Sequence, residues 1–184
     1  MENRHIISPL EDSTIDHLKS GDTVLLSGII YTARDAAHKR LAEALGRDEE
    51  LPIRLQGVTL YYMGPSPATP GRVIGACGPT TSSRMDHYTP ALLEAGVKTF
   101  LGKGERSQPI KDDIRQHRAI YLVTYGGAGA LLAKAVVKTQ VIAYPELGAE
   151  AVMRLEVKEL PAVVANDIYG GDLFEQEIKK YRKA

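Results

Sequence analysis

In residues 23–46, TVLLSGIIYTARDAAHKRLAEALG, a short apolar strand pattern runs directly into an amphipathic helix pattern. The apolar run from Thr23 to Ile30 is nearly continuous, which is typical of a strand buried on both faces. Thr32 and Asp35 have the spacing of a capping box, with Arg34 between them at the second helical position. We therefore expect a helix that begins there and stops near Gly46.

The same alternation continues along the chain and predicts a layered α/β architecture. The further predicted strands are VTLYYMG, VIGAC, VKTFLG, AIYLVTYGG, TQVIAYPE, AVMRLEVKEL and PAVVAND. The further predicted helices are ALLEAG, residues 110–117, LLAKAVV and LFEQEIKKYRK. Strand patterns around 51–64 and 152–166 indicate either a second small sheet or a mixed one. With no internal repeat or linker, residues 1–184 are predicted to form one domain.

The charge balance argues against partners that are held by a bulk electrostatic field. Lys and Arg number 23, and so do Asp and Glu, so the formal net charge is zero. A nucleic acid or an acidic membrane would require a basic excess. The N-terminal residues lack the apolar core of a signal peptide, and no apolar run has the length of a membrane span. We therefore expect a cytoplasmic protein whose anion site, if any, is built from a few placed cations.

The single cysteine, Cys77, cannot supply the ligands of an iron–sulfur cluster, because such clusters are bound by several thiolates. The five histidines are scattered without HxH or HExxH spacing. The sequence therefore predicts no metal site that belongs to this chain alone. Cys77 ends a predicted strand and is expected to be a small buried core residue.

Polar or glycine-rich sequence follows four of the predicted strands, where ligands collect in open α/β sheets. These segments are YTARD, CGPTTSSRMD, GKGE and TYGGAGA. Ser83 and Asp86 form a second capping-box pattern, which puts Arg84 at the first position of a helix. An arginine at a helix start opposes the helix dipole, and a bound anion would reverse that cost. Taken singly, these signals also suit a solvated arginine, a capping hydroxyl or an ordinary glycine turn. Together they predict a carboxylate or phosphate site.

The segment GPTTSSRMD, from Gly78 to Asp86, resembles the beta-region signature of the iron–sulfur-dependent fumarate and tartrate hydro-lyases. The resemblance is colinear over nearly the whole chain and includes LLSGIIYTARDAAHKRL, YYMGPSPATPGRVIGAC, FLGKG, VTYGGAGALLAK and YPELGAEAVMRLEVKELPAVVANDIYGGDLF. It implies the beta subunit of a class I fumarate hydratase, which hydrates fumarate reversibly to (S)-malate. The fold that it implies is a layered swivelling β/β/α domain, akin to the mobile domain of aconitase.

The resemblance also implies roles for four residues. Arg34, Arg84 and Lys103 would bind the substrate carboxylates, and Thr80 would lie at the site of proton abstraction. Ser82 and Ser83 fall where members of the family vary, so they receive no role.

A 4Fe-4S cluster would be held by a separate alpha subunit, and not by this chain, in a heterodimer or heterotetramer. Two alternatives remain open. One is the beta subunit of an L(+)-tartrate dehydratase, and the other is a non-catalytic regulatory module that binds anions.

Overall fold

A mixed sheet of seven strands organises residues 3–182, the part of the chain that this computed structural model describes. The strands are β1 (Arg4–Ser8), β2 (Thr23–Thr32), β3 (Thr59–Tyr61), β4 (Thr99–Gly102), β5 (Ile120–Val123), β6 (Val136–Ala143) and β7 (Val152–Asn166). The α-helices are α1 (Asp12–Ile15), α2 (Asp35–Gly46), α3 (Thr89–Glu94), α4 (Gln108–Gln116), α5 (Gly129–Leu132) and α6 (Leu173–Tyr181). Three 3₁₀ helices span Ser82–Tyr88, Ala133–Ala135 and Pro145–Glu150. The mixed sheet is one of the two arrangements that the sequence left open.

Strand β7 closes four parallel strands into a ring. β2, β3, β4 and β5 pair in that order and all run parallel. β7 is antiparallel to them and pairs with β2 along most of its length and with β5 at its end. β1 lies beside β2, and β6 lies beside β7. Because β2 to β5 are parallel, their carboxyl ends lie along one edge of the sheet.

Alternate residues of the ring strands enter two apolar cores, as the pleat of a strand requires. In β4, Leu101 packs in a cluster drawn from all five ring strands, whereas Phe100 packs in a cluster shared with helices α2, α3 and α4. Both strand faces are therefore buried, which accounts for the nearly continuous apolar run of β2. Within residues 3–182, no helix has the combination of length and apolar character that crossing a bilayer demands.

Three predicted elements differ from the structure. Residues 152–166 form one strand rather than two, because a bulge at Glu159, with φ of 54°, carries the ladder past Pro161. The predicted strand Val73–Cys77 is irregular, and its Ala76 pairs with Ser66 in a proline-rich loop whose prolines cannot donate to a ladder. The predicted helix LLAKAVV ends early, since Val136 already begins β6.

Gly102 ends β4 at a place where no side chain fits. A Cβ there would overlap Ser82 Oγ and lie 2.9 Å from Tyr62 Cδ2. We expect Gly102→Ala to lower the free energy of unfolding by about 1–3 kcal/mol through overpacking. Adding Ser82→Ala removes the closer overlap and should recover part of that loss, as measured by urea denaturation.

Gly46→Ala is the control for this pair, because a Cβ at Gly46 meets no atom within 4 Å. It should leave stability unchanged or slightly higher. Strict additivity of Gly102→Ala and Ser82→Ala would contradict the predicted overlap.

Candidate functional site

The four residues singled out from the sequence lie along the carboxyl edge of the ring. Arg34 follows β2, Thr80 and Arg84 lie in the segment after β3, and Lys103 follows β4. Backbone hydrogen bonds join these segments: the Thr80 N–H donates to Tyr62 O at 2.7 Å, and the Ser82 N–H donates to Lys103 O at 2.9 Å. Parallel pairing therefore brings all four residues to one edge, where α/β sheets bind ligands.

Asp35 connects the two arginines of the site. Arg84 Nε donates to Asp35 Oδ1 at 2.9 Å, and Arg84 Nη2 forms an ion pair with Asp35 Oδ2. Arg34 Nε lies 3.3 Å from the same Oδ2. On its other side, Arg34 Nη2 lies 3.2 Å from Glu150 Oε1. Sequence reasoning assigned neither acid to the site. The adjacency of Arg34 and Asp35 was a usable signal, whereas nothing in the sequence connects Glu150 to this edge.

The stem of Arg34 lies against Gly64. A Cβ at Gly64 would lie 3.0 Å from Arg34 Cδ and 3.2 Å from Arg34 Nη1, and it would also press on the Ala149 carbonyl oxygen. A glycine at this position therefore leaves the room that the arginine side chain occupies.

The predicted capping box at the start of α2 is wrong. Thr32 is the last residue of β2, and its hydroxyl bonds across the sheet to Met153 N–H at 3.1 Å and to Ala151 O at 3.3 Å. Arg34 itself is the N-cap, not the second helical residue. The anion at this helix start is the carboxylate of Glu150, whose Oε2 accepts the Ala36 N–H at 2.8 Å. A negative charge at this position interacts favourably with the dipole of α2 and offsets the unfavourable interaction of the nearby Arg34 with that dipole.

The second predicted capping box is wrong as well. The 3₁₀ helix Ser82–Tyr88 has Thr81 as N-cap and no side-chain cap, so Arg84 is its third residue rather than its first. Asp86 is used elsewhere: Arg106 Nε donates to its Oδ1 at 2.7 Å, and the Ser107 N–H donates to its Oδ2 at 2.9 Å.

Arg106, which sequence reasoning overlooked, is a buried cation that contacts the 3₁₀ helix of the site and the aromatic side chains beside it. Its side chain is fully buried, and besides Asp86 it donates to the Tyr62 hydroxyl at 3.1 Å. Its guanidinium carbon lies 5.2 Å from the centre of the Tyr121 ring and 5.4 Å from that of Tyr62. These contacts tie the 3₁₀ helix that carries Arg84 to Tyr62, which directly follows β3, and to Tyr121 of β5.

Lys103 differs from the two arginines because no acid neutralises it in residues 3–182. Its stem crosses Gly126, where a Cβ would lie 3.3 Å from Lys103 Cδ. Of the three cations, Lys103 is the one without an ion-pair partner among the described residues. A cation in this state suits an anionic ligand.

Thr80 is partly buried and lies outside the 3₁₀ helix, whose N-cap is the next residue, Thr81. Its hydroxyl therefore does not cap that helix, which was one of the structural roles that the sequence left open. The segment just before Thr80 is held by Gly129, whose carbonyl oxygen accepts the Cys77 N–H at 2.9 Å.

The residues of the described chain do not fit the ligand set of an iron–sulfur cluster. Cys77 is fully buried, and burial raises the pKa of its thiol to about 11, so it is not a thiolate at neutral pH. Between residues 3 and 182, no three side chains among His, Cys, Asp and Glu are grouped as a metal site would need.

His38 is also buried, and burial lowers its pKa to about 4. Its Nδ1 lies 3.1 Å from the Arg34 carbonyl oxygen.

Comparison with known proteins gives one family and several relatives. The profile of the family described as "Fumarase C-terminus" matches residues 4–177. The anaerobic class I fumarate hydratase of Escherichia coli is 40% identical over 157 residues, which is 84% of this chain and 29% of that protein. Fumarate hydratase 2 of Leishmania major is 37% identical over 160 residues, 86% of this chain and 28% of that protein. The chain thus spans less than a third of these two relatives.

A shorter relative matches along almost its whole length. The putative L(+)-tartrate dehydratase subunit beta of Methanocaldococcus jannaschii is 34% identical over 182 residues, which is 96% of this chain and 93% of that protein.

The ion pair of Asp35 predicts how stability depends on pH. Burial alone would raise the pKa of the Asp35 carboxyl, but hydrogen bonds and charge from Arg84, together with Arg34, hold the pKa below its usual value. The stability that such a carboxylate contributes is present above its unfolded pKa and is lost as the pH falls through the folded one. We expect the free energy of unfolding of Asp35→Asn to fall less steeply below about pH 4 than that of the unmodified chain.

Urea denaturation between about pH 2.5 and 6 measures this difference. Glu94→Gln, which changes an exposed acid on α3, is the matched control and should follow the unmodified chain. Parallel curves for Asp35→Asn and the unmodified chain would mean that the Asp35 ion pair contributes nothing.

Proposed function

Because the chain belongs to the Fumarase C-terminus family, we propose that it binds the two carboxylates of fumarate and (S)-malate in a hydro-lyase that interconverts them. The observation that carries this proposal is the gathering of Arg34, Arg84 and Lys103 at one sheet edge, where Lys103 has no ion-pair partner among the described residues. A four-carbon dicarboxylate supplies two anionic ends that such a group of cations can bind.

Each arginine keeps donors for a substrate carboxylate. Asp35 takes the Nε and Nη2 side of Arg84, and Arg34 uses the same two nitrogens for Asp35 and Glu150. A guanidinium has five N–H donors in a fixed plane, so each arginine keeps donors on Nη1 that neither acid uses. The acids therefore orient the two arginines without saturating them.

The proton step places its charge where these cations lie. Loss of a proton from the carbon beside a carboxylate moves negative charge onto that carboxylate. A cation bound there stabilises the transition state more than the ground state. Thr80 lies four residues before Arg84 in the same segment, and we assign its hydroxyl to the transfer of this proton. A neutral hydroxyl is a weak base, so it depends on the neighbouring positive charges.

A partner completes the site in this proposal. The 4Fe-4S cluster that the resemblance implies would be held by an alpha subunit, since the described residues of this chain do not fit it. Similarity over 93% of a protein named subunit beta supports a heterodimer or heterotetramer. The ring of strands with helices packed outside it supports the swivelling β/β/α fold, and the likeness to the mobile domain of aconitase stays a prediction. The cytoplasmic location also stays a prediction.

The second candidate function is that of an L(+)-tartrate dehydratase beta subunit, because the chain is similar to almost the whole of a relative with that name. Tartrate differs from malate by one hydroxyl, and the same pair of carboxylates would meet the same cations.

Reconstitution with a cluster-bearing alpha subunit from the same source tests both candidates. We expect the anaerobically reconstituted complex to hydrate fumarate and the chain alone to contain no stoichiometric iron or sulfide and to be inactive. Turnover of L(+)-tartrate without turnover of fumarate would favour the second candidate. Anion binding without turnover of either acid would favour a regulatory module.

Thr80 offers a sharper test of the chemistry in the same complex. General-base catalysis contributes roughly 10²–10⁴-fold, so Thr80→Ala should lower kcat by about that factor and leave KM and cluster content nearly unchanged. Thr80→Ser keeps the hydroxyl and should retain much more activity. Thr81→Ala, which removes a neighbouring exposed hydroxyl, is the control.

Isotope exchange identifies the step that Thr80 affects. Thr80→Ala should lose the exchange of the malate C3 proton with deuterated water. If the exchange continues at the unmodified rate, Thr80 is not the base, and a partner residue must be.

A further inference from the structure

A chain of hydrogen bonds surrounds the backbone of Lys103. The Lys103 N–H donates to Ser82 Oγ at 3.1 Å, and Ser82 Oγ lies 2.7 Å from the Tyr121 hydroxyl. The Tyr121 hydroxyl also lies 2.8 Å from Gly104 O. Because a carbonyl oxygen only accepts, the phenolic hydrogen is directed to Gly104 O, and the Ser82 hydroxyl donates to the Tyr121 oxygen. The bonds then run in one direction from Lys103 N–H to the carbonyl group of the next residue.

Ser82 also holds the other backbone group of Lys103. Its own N–H donates to Lys103 O at 2.9 Å, so one serine binds both the N–H and the C=O of the lysine. Arg84 follows Ser82 by two residues in the same 3₁₀ helix. The contact between Ser82 and Lys103 therefore sets how far the Arg84 backbone lies from that of Lys103.

The surroundings of the chain make it rigid. Ser82 and Tyr121 are both fully buried, and burial raises the pKa of the Tyr121 hydroxyl, which therefore stays protonated as a donor. Gly102 leaves the space that Ser82 Oγ occupies, and Arg106 lies over the Tyr121 ring. A buried network with every member satisfied holds its geometry more firmly than a single bond does.

We propose that Ser82 and Tyr121, to which the family resemblance gives no role, are positioning residues. They fix the backbone from which the Lys103 side chain extends toward a substrate carboxylate, and they fix its spacing from the backbone of Arg84. Neither residue touches the substrate in this proposal. The inference rests on the proposed function and adds a specificity element to it. In this proposal, the backbone spacing between Lys103 and Arg84 decides which separation of two carboxylates the site accepts.

Kinetics of the reconstituted complex test this role against a purely structural one. Ser82→Ala and Tyr121→Phe each break the chain at one hydroxyl and should raise KM for malate by about 5- to 10-fold, the effect of one lost hydrogen bond, with kcat nearly unchanged. Ser83→Ala removes the exposed hydroxyl of the next residue and should leave both constants at the unmodified values. The double variant Ser82→Ala/Tyr121→Phe should have a KM no higher than that of the more impaired single variant, because both substitutions break the same hydrogen-bond chain.

The Lys103→Met background shows whether the effect passes through the lysine. There, Ser82→Ala should raise KM no further. A lower melting temperature with KM unchanged in both hydroxyl variants would overturn the proposal, and so would a full KM effect that persists without Lys103.

Amide hydrogen exchange gives a readout that does not depend on turnover. The Lys103 N–H should exchange faster in Ser82→Ala than in the unmodified chain, and Ser83→Ala should not change it. If the unmodified complex turns over neither malate nor L(+)-tartrate, the proposed function fails. Amide exchange then decides by itself whether the hydrogen-bond chain orders the backbone of Lys103. Unchanged exchange in Ser82→Ala would then overturn the positioning role.

Discussion

The pairing of β7 with both β2 and β5 is the constraint on which the rest of the structure depends. The parallel pairing of β2 to β5 already gives these strands a common edge; the closed ring buries their inner face, and helices α2, α3 and α4 bury the outer one. Side chains at that edge come from segments far apart in sequence, yet each follows a strand whose register is fixed by two neighbours. Groups placed in this way need little reorganisation when a ligand arrives, which is the usual advantage of a site at strand ends.

Charge is distributed unevenly along this edge. The two arginines are held by Asp35 and Glu150, while Lys103 has no acidic partner among residues 3–182. Partly exposed ion pairs contribute little to stability, so the acids matter more for orientation than for free energy. The lysine is instead ordered through its backbone, by hydroxyl groups that carry no charge. Lys103 thus stays a cation without an ion-pair partner among the described residues, although its backbone is held in place.

Sequence reasoning succeeded where the signal is local. The β2–α2 unit follows from periodicity alone, and the residues that the family resemblance named, Arg34, Thr80, Arg84 and Lys103, lie at one sheet edge, while their roles stay predictions. Its failures come from contacts between distant segments. The Thr32 hydroxyl looked like a cap, but its partners are 119 and 121 residues away on and beside β7. The sequence placed a strand boundary at Pro161. In the structure the strand continues, because a bulge formed by pairing with β2 accommodates the proline.

The contact between Gly64 and the stem of Arg34 has a consequence for binding affinity. A free arginine side chain samples many rotamers, and ordering it costs up to about 2 kcal/mol in conformational entropy. Here that cost is met during folding, since the stem is confined beside Gly64 and the guanidinium is held at two of its nitrogens. An anionic ligand that binds Arg34 would therefore gain the interaction without the entropic cost of ordering the side chain.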